Sequence, residues 1–535
     1  MTRVVLVVGA VLLVACATRL EEPASPDGGS RPRSTSSSGA TAASSSSGVT
    51  SSSSSGGAGS FASSSSSAAS SSSASAAAVS SSSSVASASS SSGGAPSCQA
   101  TDADFTWVEQ HFRSLLDDNN IPGGLLAVVC GTRTLAVGHG VTRQGTSNAV
   151  TSTTRFQLAS TTKTLTALTA WRMHQQGEVD LAAPASELVP YMNTQSPYAR
   201  SFTVEELLSH SAGWTTDDVG TSLDLKTHMQ QNASMQLWAE PGAVHVYSNP
   251  GYALAGLALQ EAAGTPFADL VESRVFAPAG MTHATMHGAS MTSGTYAYGH
   301  AVSWPPTGTY GPTDSYYSDP WYGPMGGAWL SAQDFVALIN VFLANGSPLL
   351  DTSSFTSLTT PRTRTDYPGM PYAQGLYVAE GSSRRLWHGG SVGGFLSRFE
   401  ALPDEGFGLA WVVNSDAVYL SELADEAITR FTSWSYGDCP DCYPQPGDWQ
   451  LHVGTYEDAI NLGTVVVSGN ASSLTASFQD QGITRAMTPD PYGGRDQYVV
   501  DYPPAGGEMS VMFWREGNNP ATHIVSLWGV AARVP

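Results

Sequence analysis

Residues 155–168 read RFQLASTTKTLTAL, and the lysine inside this stretch decides how the rest of the chain is read. Lys163 and Lys226 are the only lysines among 23 basic residues; every other positive charge is an arginine. Lys163 follows Ser160 by three residues. The segment predicts a helix from about Ser160 to Gln176, with Leu165, Leu168 and Trp171 at helical spacing and Gly177 as its stop. On a helix, positions i and i+3 share a face, so the hydroxyl and the amine fall within reach of each other. A serine hydroxyl is a poor nucleophile until a neighbour takes its proton. A lysine amine can take it once burial lowers its pKa; an arginine stays protonated. A serine near a helix start also lies beside backbone N–H groups able to stabilise an oxyanion. Alone, the spacing is weak evidence in so serine-rich a chain.

Working outward, 535 residues allow two folded domains and additional segments. Charged residues make up only 13% and the formal charge is −21, which argues against nucleic acid as a partner, since that binding rests on phosphate neutralisation. The chain opens MTRVVLVVGAVLLVACA, one arginine followed by an apolar run too short for a comfortable membrane span. Its end, Leu13-Val14-Ala15-Cys16, resembles a bacterial lipobox. That resemblance implies a signal peptide over 1–15, cleavage before Cys16 and lipidation of its thiol. The expectation is an exported lipoprotein at the periplasm or cell surface, attached to the membrane by its lipid alone. Residues 16–97 form the following segment. From Ser34 to Ser97 it is nearly all Ser, Ala and Gly, without a charge and with Phe61 as its one aromatic. Such a composition predicts a flexible tether with a reach of about 40–50 Å.

Four cysteines remain: Cys98, Cys130, Cys439 and Cys442. Export permits disulfides, and the expected pairs are Cys98 with Cys130 and Cys439 with Cys442. The CPDC motif is also half of a zinc site, but the other two cysteines supply no second close pair, so no metal is expected.

Residues 98–443 alternate strands and helices. Asp102–Asn119 reads as a helix, LLAVVC and TLAVGHGV as a hairpin across CGTR, and FLSRFEALP and GFGLAWVVN as a strand pair across Asp404-Glu405. Further helices are expected in VEELLSHSAG after Thr203 up to Gly213, from Pro250 to Gly264, after Ser331 to Gly346, and over about Asp416–Ser433. Helices bracketed by terminal strands indicate an α+β domain with an antiparallel sheet drawn from both chain ends. Residues 444–535 show strand–turn–strand patterns without a helix, a separate all-β barrel or sandwich.

Three segments together carry a resemblance. FQLASTTKTLTAL resembles the nucleophile segment of the serine β-lactamase and penicillin-binding superfamily, nearest its class C and D-alanyl-D-alanine carboxypeptidase-like branch. Tyr247-Ser248-Asn249 in HVYSNPGYALAG resembles the family's Tyr-x-Asn. His388-Gly389-Gly390 in WHGGSVGG stands where the family has Lys/His-Thr/Gly-Gly on a sheet strand. LLSHSAGW (207–214) and MGGAWLSAQDF (325–335) also look like family segments, and all occur in family order over about residues 100–436. The resemblance implies an antiparallel sheet flanked by helices beside a mostly helical lobe. It implies that Ser160 forms an acyl-enzyme and that Lys163 and Tyr247 share the proton transfers, Tyr247 as a phenolate or through a relay. Asn249 and His388 then contact substrate, and the backbone N–H groups of Ser160 and Ser391 form an oxyanion hole. Gly389 and Gly390 leave room for a substrate backbone. No cofactor is expected; the substrate is a small molecule or peptide. The C-terminal GTYEDAINLGTVVVS resembles the start of a lipocalin-like barrel, which some hydrolases of this branch carry. Covering the cleft and oligomerisation are the two roles considered for it.

One departure matters. Many β-lactamases of this branch carry Lys at the position of His388, where it helps hold a substrate carboxylate; an imidazole is mostly neutral near pH 7. That weakens β-lactam hydrolysis and leaves peptidase or esterase activity open. Gly389–Gly393 also matches the G-x-S-x-G elbow of α/β-hydrolases, but that turn needs a helix directly after its serine, and a strand follows here. The Tyr-, Trp- and Pro-rich region 296–324 reads equally as cleft lining or as a self-packed loop. The chain is thus expected to be a serine hydrolase acting on amides or esters; a non-turnover penicillin-binding or sensor protein and a plain carboxylesterase are the alternatives.

Overall fold

The computed structural model describes residues 98–534 apart from 193–197, 199–200, 217, 219, 292–294, 304–306, 313–318, 366, 368, 380, 438–444, 446, 491–494, 503–506 and 527–528. The leader, Cys16, the tether, Cys439 and Cys442 therefore lie outside the described residues. Cys98 and Cys130 are joined by a disulfide.

The strands begin with β1 (Gly123–Cys130) and β2 (Arg133–Gly140). Short strands β3 (Phe156–Gln157), β4 (Gly299–Ala301), β5 (Gly308–Tyr310) and β6 (Trp329–Leu330) follow; β3 pairs with β6, and β4 with β5. Then come β7 (Tyr377–Ala379), β8 (Arg385–Val392), β9 (Phe395–Leu402) and β10 (Phe407–Val413). Six of these form one antiparallel sheet in the order β2-β1-β10-β9-β8-β7. Strands from both chain ends are thus neighbours at its centre, where β1 lies against β10.

Strand β1 is buried at all eight positions. Its side chains alternate: Leu125, Ala127 and Val129 enter the core shared with the helical lobe, while Leu126, Val128 and Cys130 enter a second core on the opposite face. Strand β10 divides the same way, with Ala410 and Val412 on the first face and Leu409, Trp411 and Val413 on the second. A sheet covered on both sides explains why these strands read as continuous apolar runs.

Five described helices of eleven or more residues supply the covering layers: α1 (Asp102–Asp118), α2 (Thr162–Gln175), α3 (Asn249–Ala263), α4 (Ala332–Leu343) and α5 (Ser421–Phe431). α1 and α5 close the second core, whereas α2, α3 and α4 belong to the first. Local sequence sets their ends. Thr101 with Asp104, and Ser331 with Asp334, form capping boxes on α1 and α4. Ser248 caps α3, Pro250 lies in its first turn, and Gly264 ends it at φ +63°. α4 lies so close to the sheet that a Cβ on Gly408 would fall 2.3 Å from Ile339 Cγ2.

Two expectations are corrected. The helix after Thr203 covers only Val204–Leu208. Beyond it His210 and Gly213 take φ of +57° and +67°, and Gly213 sits against the Ala239 carbonyl with no room for a Cβ. The C-terminal unit is a closed barrel of eight antiparallel strands, β11 (Gly454–Asp458) through β18 (Gly529–Arg533). It is entered by a helical turn, Trp449–His452, where no helix was expected; His452 from that turn stacks on Phe513 at 4.3 Å.

Trp411 is fully enclosed in the second core. Trp411→Ala is expected to cost about 3–5 kcal/mol of stability, read as a lower denaturant midpoint in chemical unfolding.

Candidate active site

Strand β3 delivers the chain to a single 3-10 turn, Ala159–Thr161, and α2 starts at Thr162. Ser160 therefore stands just before the helix rather than in it. Ala159 has φ +49°, a left-handed conformation that costs a non-glycine residue about 1–3 kcal/mol and persists only where neighbours enforce it. The neighbours are visible. The Leu158 N–H donates to the Ala328 carbonyl at 2.9 Å, and Ser397 Oγ of β9 donates to the Leu158 carbonyl at 2.6 Å. Thr161 Oγ1 lies 2.9 Å from Ser397 Oγ. Strand β9 thus holds the chain on both sides of Ser160.

Lys163 is completely buried, yet among the described residues no carboxylate accompanies it. Its Nζ has three oxygen neighbours: Ser160 Oγ at 3.1 Å, Asn249 Oδ1 at 2.8 Å and the Met325 carbonyl at 3.0 Å. Burial alone pushes the amine well below the ordinary lysine range. A neutral amine has two N–H donors and one lone pair. In that form the Asn249 and Met325 oxygens can accept both donors, which leaves the lone pair able to face Ser160 Oγ. The rings of Tyr247 and Tyr252 complete the enclosure, with centroids 5.0 and 5.3 Å from Nζ.

Tyr247, Ser248 and Asn249 arrive on the segment that starts α3. Ser248 Oγ donates to the Thr215 carbonyl at 2.6 Å and accepts the Gly251 N–H at 3.0 Å. Its own N–H donates to His210 Nδ1 at 3.0 Å, so the proton of that imidazole sits on Nε2. The His210 ring lies 4.2 Å from the Tyr247 ring. Burial raises the Tyr247 phenol pKa above its ordinary value, and the nearby Ser160 hydroxyl offsets only part of that. Burial thus favours the neutral phenol, and with it the relay over the phenolate.

The structure also revises the β8 residues. His388 is 2% exposed. Its Nδ1 donates to the Gly389 carbonyl at 2.6 Å, and its Nε2 accepts from the Tyr372 hydroxyl at 3.0 Å. Neither nitrogen is left for substrate, and burial pulls its pKa down to about 3. His388 is a wall of the site, not the substrate contact expected of it. The two glycines make room for the protein itself. A Cβ on Gly390 would fall 2.1 Å from the Leu158 carbonyl oxygen, and one on Gly389 would fall 2.4 Å from the Tyr419 hydroxyl. Past Trp387, no outer strand pairs with β8 among the described residues, because β7 pairs only with Arg385–Trp387. Ser391 therefore lies on an open edge, opposite Leu396 of β9. Nearby arginines are engaged: Arg385 and Arg398 both pair with the fully buried Glu400, at 2.8 and 2.6 Å, and Arg384 pairs with Asp404.

The profile of the beta-lactamase family, described as Beta-lactamase, matches residues 108–429, more than half of the chain. The chain belongs to the beta-lactamase family. Penicillin-binding protein 4 of Amycolatopsis lactamdurans is 25% identical to it over 385 residues, 65% of this chain and 96% of that one. Among solved structures, SurE with D-Leu aligns with a TM-score of 0.61 at 22% identity, over 81% of this chain and all of SurE. A D-stereospecific amidohydrolase from Streptomyces sp. aligns at 0.51 and 22% identity, over 60% of this chain and 97% of its own.

Within this family frame, the positions that sequence reading did not assign are the supports. His210 lies in LLSHSAGW, noticed as a segment but given no role. Met325 heads MGGAWLSAQDF and contributes a backbone oxygen, which no side-chain pattern reveals. Tyr372 had no signal at all. The described part of 296–324 packs on the protein: Trp321 stacks on His228 at 4.1 Å, and the Tyr296 and Tyr298 hydroxyls meet at 3.3 Å.

Two outcomes follow from these contacts. Gly390→Ala is expected to shift Leu158 and slow reaction at Ser160 by about 100-fold, measured as the second-order rate of covalent labelling. His388 and His245 are both buried with pKa values lowered to about 3. The unfolded chain binds these two protons below about pH 6.5 and the folded chain does not. Stability from this source is complete above pH 6.5 and falls as pH drops toward 3, by up to about 1.4 kcal/mol per pH unit per histidine. Denaturant midpoints at pH 7 and pH 5 measure it, and His245→Asn is expected to flatten the dependence.

Proposed function

We propose that the chain is a serine hydrolase acting through an acyl-enzyme, with Ser160 as nucleophile. The observation that carries the reading is the buried, carboxylate-free amine of Lys163 at 3.1 Å from Ser160 Oγ. In this reading the lone pair of Lys163 takes the Ser160 proton as Oγ adds to the substrate carbonyl carbon. The backbone N–H groups of Ser160 and Ser391 hold the resulting oxyanion. Tyr247, whose ring centroid lies 5.0 Å from Lys163 Nζ, relays a proton to the leaving amine or alkoxide as the acyl-enzyme forms. Water then attacks the acyl carbonyl, the same groups accept its proton, and Ser160 is released with the acid product. Asn249 orients Lys163 through its Oδ1 and faces the same site.

For the substrate, we favour amides and esters, including D-amino peptides, over β-lactams. His388 is neutral, and Arg384, Arg385 and Arg398 are paired with carboxylates, so no free side-chain cation stands near β8 among the described residues. A substrate carboxylate gains little there. The D-stereospecific amidohydrolase among the similar folds is compatible with this choice. A non-turnover penicillin-binding or sensor protein is the second reading; the complete Ser160–Lys163–Tyr247 arrangement favours turnover. We further propose export as a lipoprotein attached through Cys16, on the strength of Leu13–Cys16 alone.

A fluorophosphonate probe and a fluorescent penicillin test the reaction. Wild type is expected to be labelled and Ser160→Ala not. Lys163→Arg keeps the charge and loses proton acceptance, so turnover is expected to fall by about 10²–10⁴-fold. Absence of labelling by both probes overturns the hydrolase reading, and a stable adduct without release favours the sensor. Turnover of a D-amino peptide, an ester and a β-lactam then ranks the acyl donors.

A further inference from the structure

The outer face of the barrel is not a solvent face where β16 (Gly507–Trp514), β17 (His523–Ser526) and β18 meet. Along these strands, Phe513, Ile524 and Ala531 point into the barrel core. Their chain neighbours Trp514, Val525 and Val530 point outward, into an apolar cluster with Trp238, Ala239, Val244 and Val246 of the hydrolase domain. Val525 and Val530 are cross-strand partners, which makes the patch continuous. Strands apolar on both faces are what an obligate contact requires; an independent barrel would place polar residues outward.

The segment they press on is the one that leads to Tyr247. Over Val244–Tyr247 the side chains alternate. Val244 and Val246 turn to the barrel; His245 and Tyr247 turn to His210, at 5.6 and 4.2 Å. The Val246 N–H donates to the His210 carbonyl at 2.7 Å. Tyr247 is therefore one residue away from Val246, whose apolar neighbours include the barrel residue Val530.

A second contact reaches the opposite wall. Arg364 donates to the Arg515 carbonyl at 2.7 Å and lies 3.6 Å from Asp496, a buried barrel carboxylate also held by His452 at 2.9 Å and Arg515 at 2.6 Å. Next to Arg364, Thr363 pairs with Tyr372 through backbone bonds of 2.8 and 3.2 Å. Tyr372 is the residue that binds His388.

We propose that the barrel is a positioning element of the reaction: by backing Val246 and holding Arg364, it sets where Tyr247 and Tyr372 stand relative to Ser160 and His388. The proposal rests on Ser160, Lys163 and Tyr247 being the reacting groups. It differs from a lid, since no barrel residue needs to touch substrate.

The test is made on the full chain, with ester turnover and fluorophosphonate labelling as readouts. Val530→Asp places a charge in the shared cluster. It is expected to lower kcat about tenfold or more with KM within about twofold, at an unchanged catalytic-domain unfolding midpoint. Val530→Ile is expected to behave as wild type. If Val530→Asp does not fold, Arg364→Ala against Arg364→Lys decides: a kcat loss in the first that the second recovers supports the proposal. Folded Val530→Asp and Arg364→Ala with wild-type kcat overturn it, while labelled wild type keeps the hydrolase reading intact. An unlabelled wild type overturns that reading and this proposal with it.

Discussion

A primary amine without a counter-ion, sealed inside a protein, is the constraint on which the site depends. Charged, Lys163 would lack the solvation that water gives an ammonium, and no carboxylate replaces it. Neutral, it needs two acceptors and one donor, and its surroundings hold that set: Asn249 Oδ1, the Met325 carbonyl and the Ser160 hydroxyl. Those three groups come from the start of α3, the residues just before β6 and the turn before α2. The amine therefore fixes three distant parts of the chain to one point.

The sheet supplies the complementary fixation. Ser397 on β9 and the bare Cα of Gly390 on β8 grip the Leu158 carbonyl, and the strained Ala159 then presents Ser160. Behind this, His210, Tyr372 and His388 form a buried aromatic wall with little electrostatic charge of its own. Its role is to keep water and counter-ions away from Lys163, so that burial remains the dominant influence on the amine.

Much of the architecture was legible because it follows from local chemistry. The hairpin β1–β2, the pair β9–β10 and the capped helices α1, α3 and α4 are written in apolar runs, turn residues and N-cap hydroxyls. Ser160 and Lys163 were legible because one helical period connects them, and because arginine elsewhere makes a lysine conspicuous. The errors share a cause. The helix after Thr203 stops at Leu208, and Gly213 beyond it passes Ala239, a contact 26 residues away in the chain. Gly389 and Gly390 serve Tyr419 and Leu158 rather than a substrate backbone, and His388 faces Tyr372 rather than the cleft. Each depends on what lies across a packed gap, about which neighbouring residues say nothing.

The sequence by itself determined the element types, the order of the three motifs and the chemical candidates, since periodicity, capping and side-chain pKa are properties of a residue and its near neighbours. Only the tertiary structure decided protonation and direction. Whether Lys163 is a base, Tyr247 a phenol or His388 neutral depends on desolvation, and desolvation is created by residues brought together from across the domain. The same holds for the outward apolar face of the barrel: Trp514, Val525 and Val530 read as strand residues, and their use against Val246 exists only once the two domains pack.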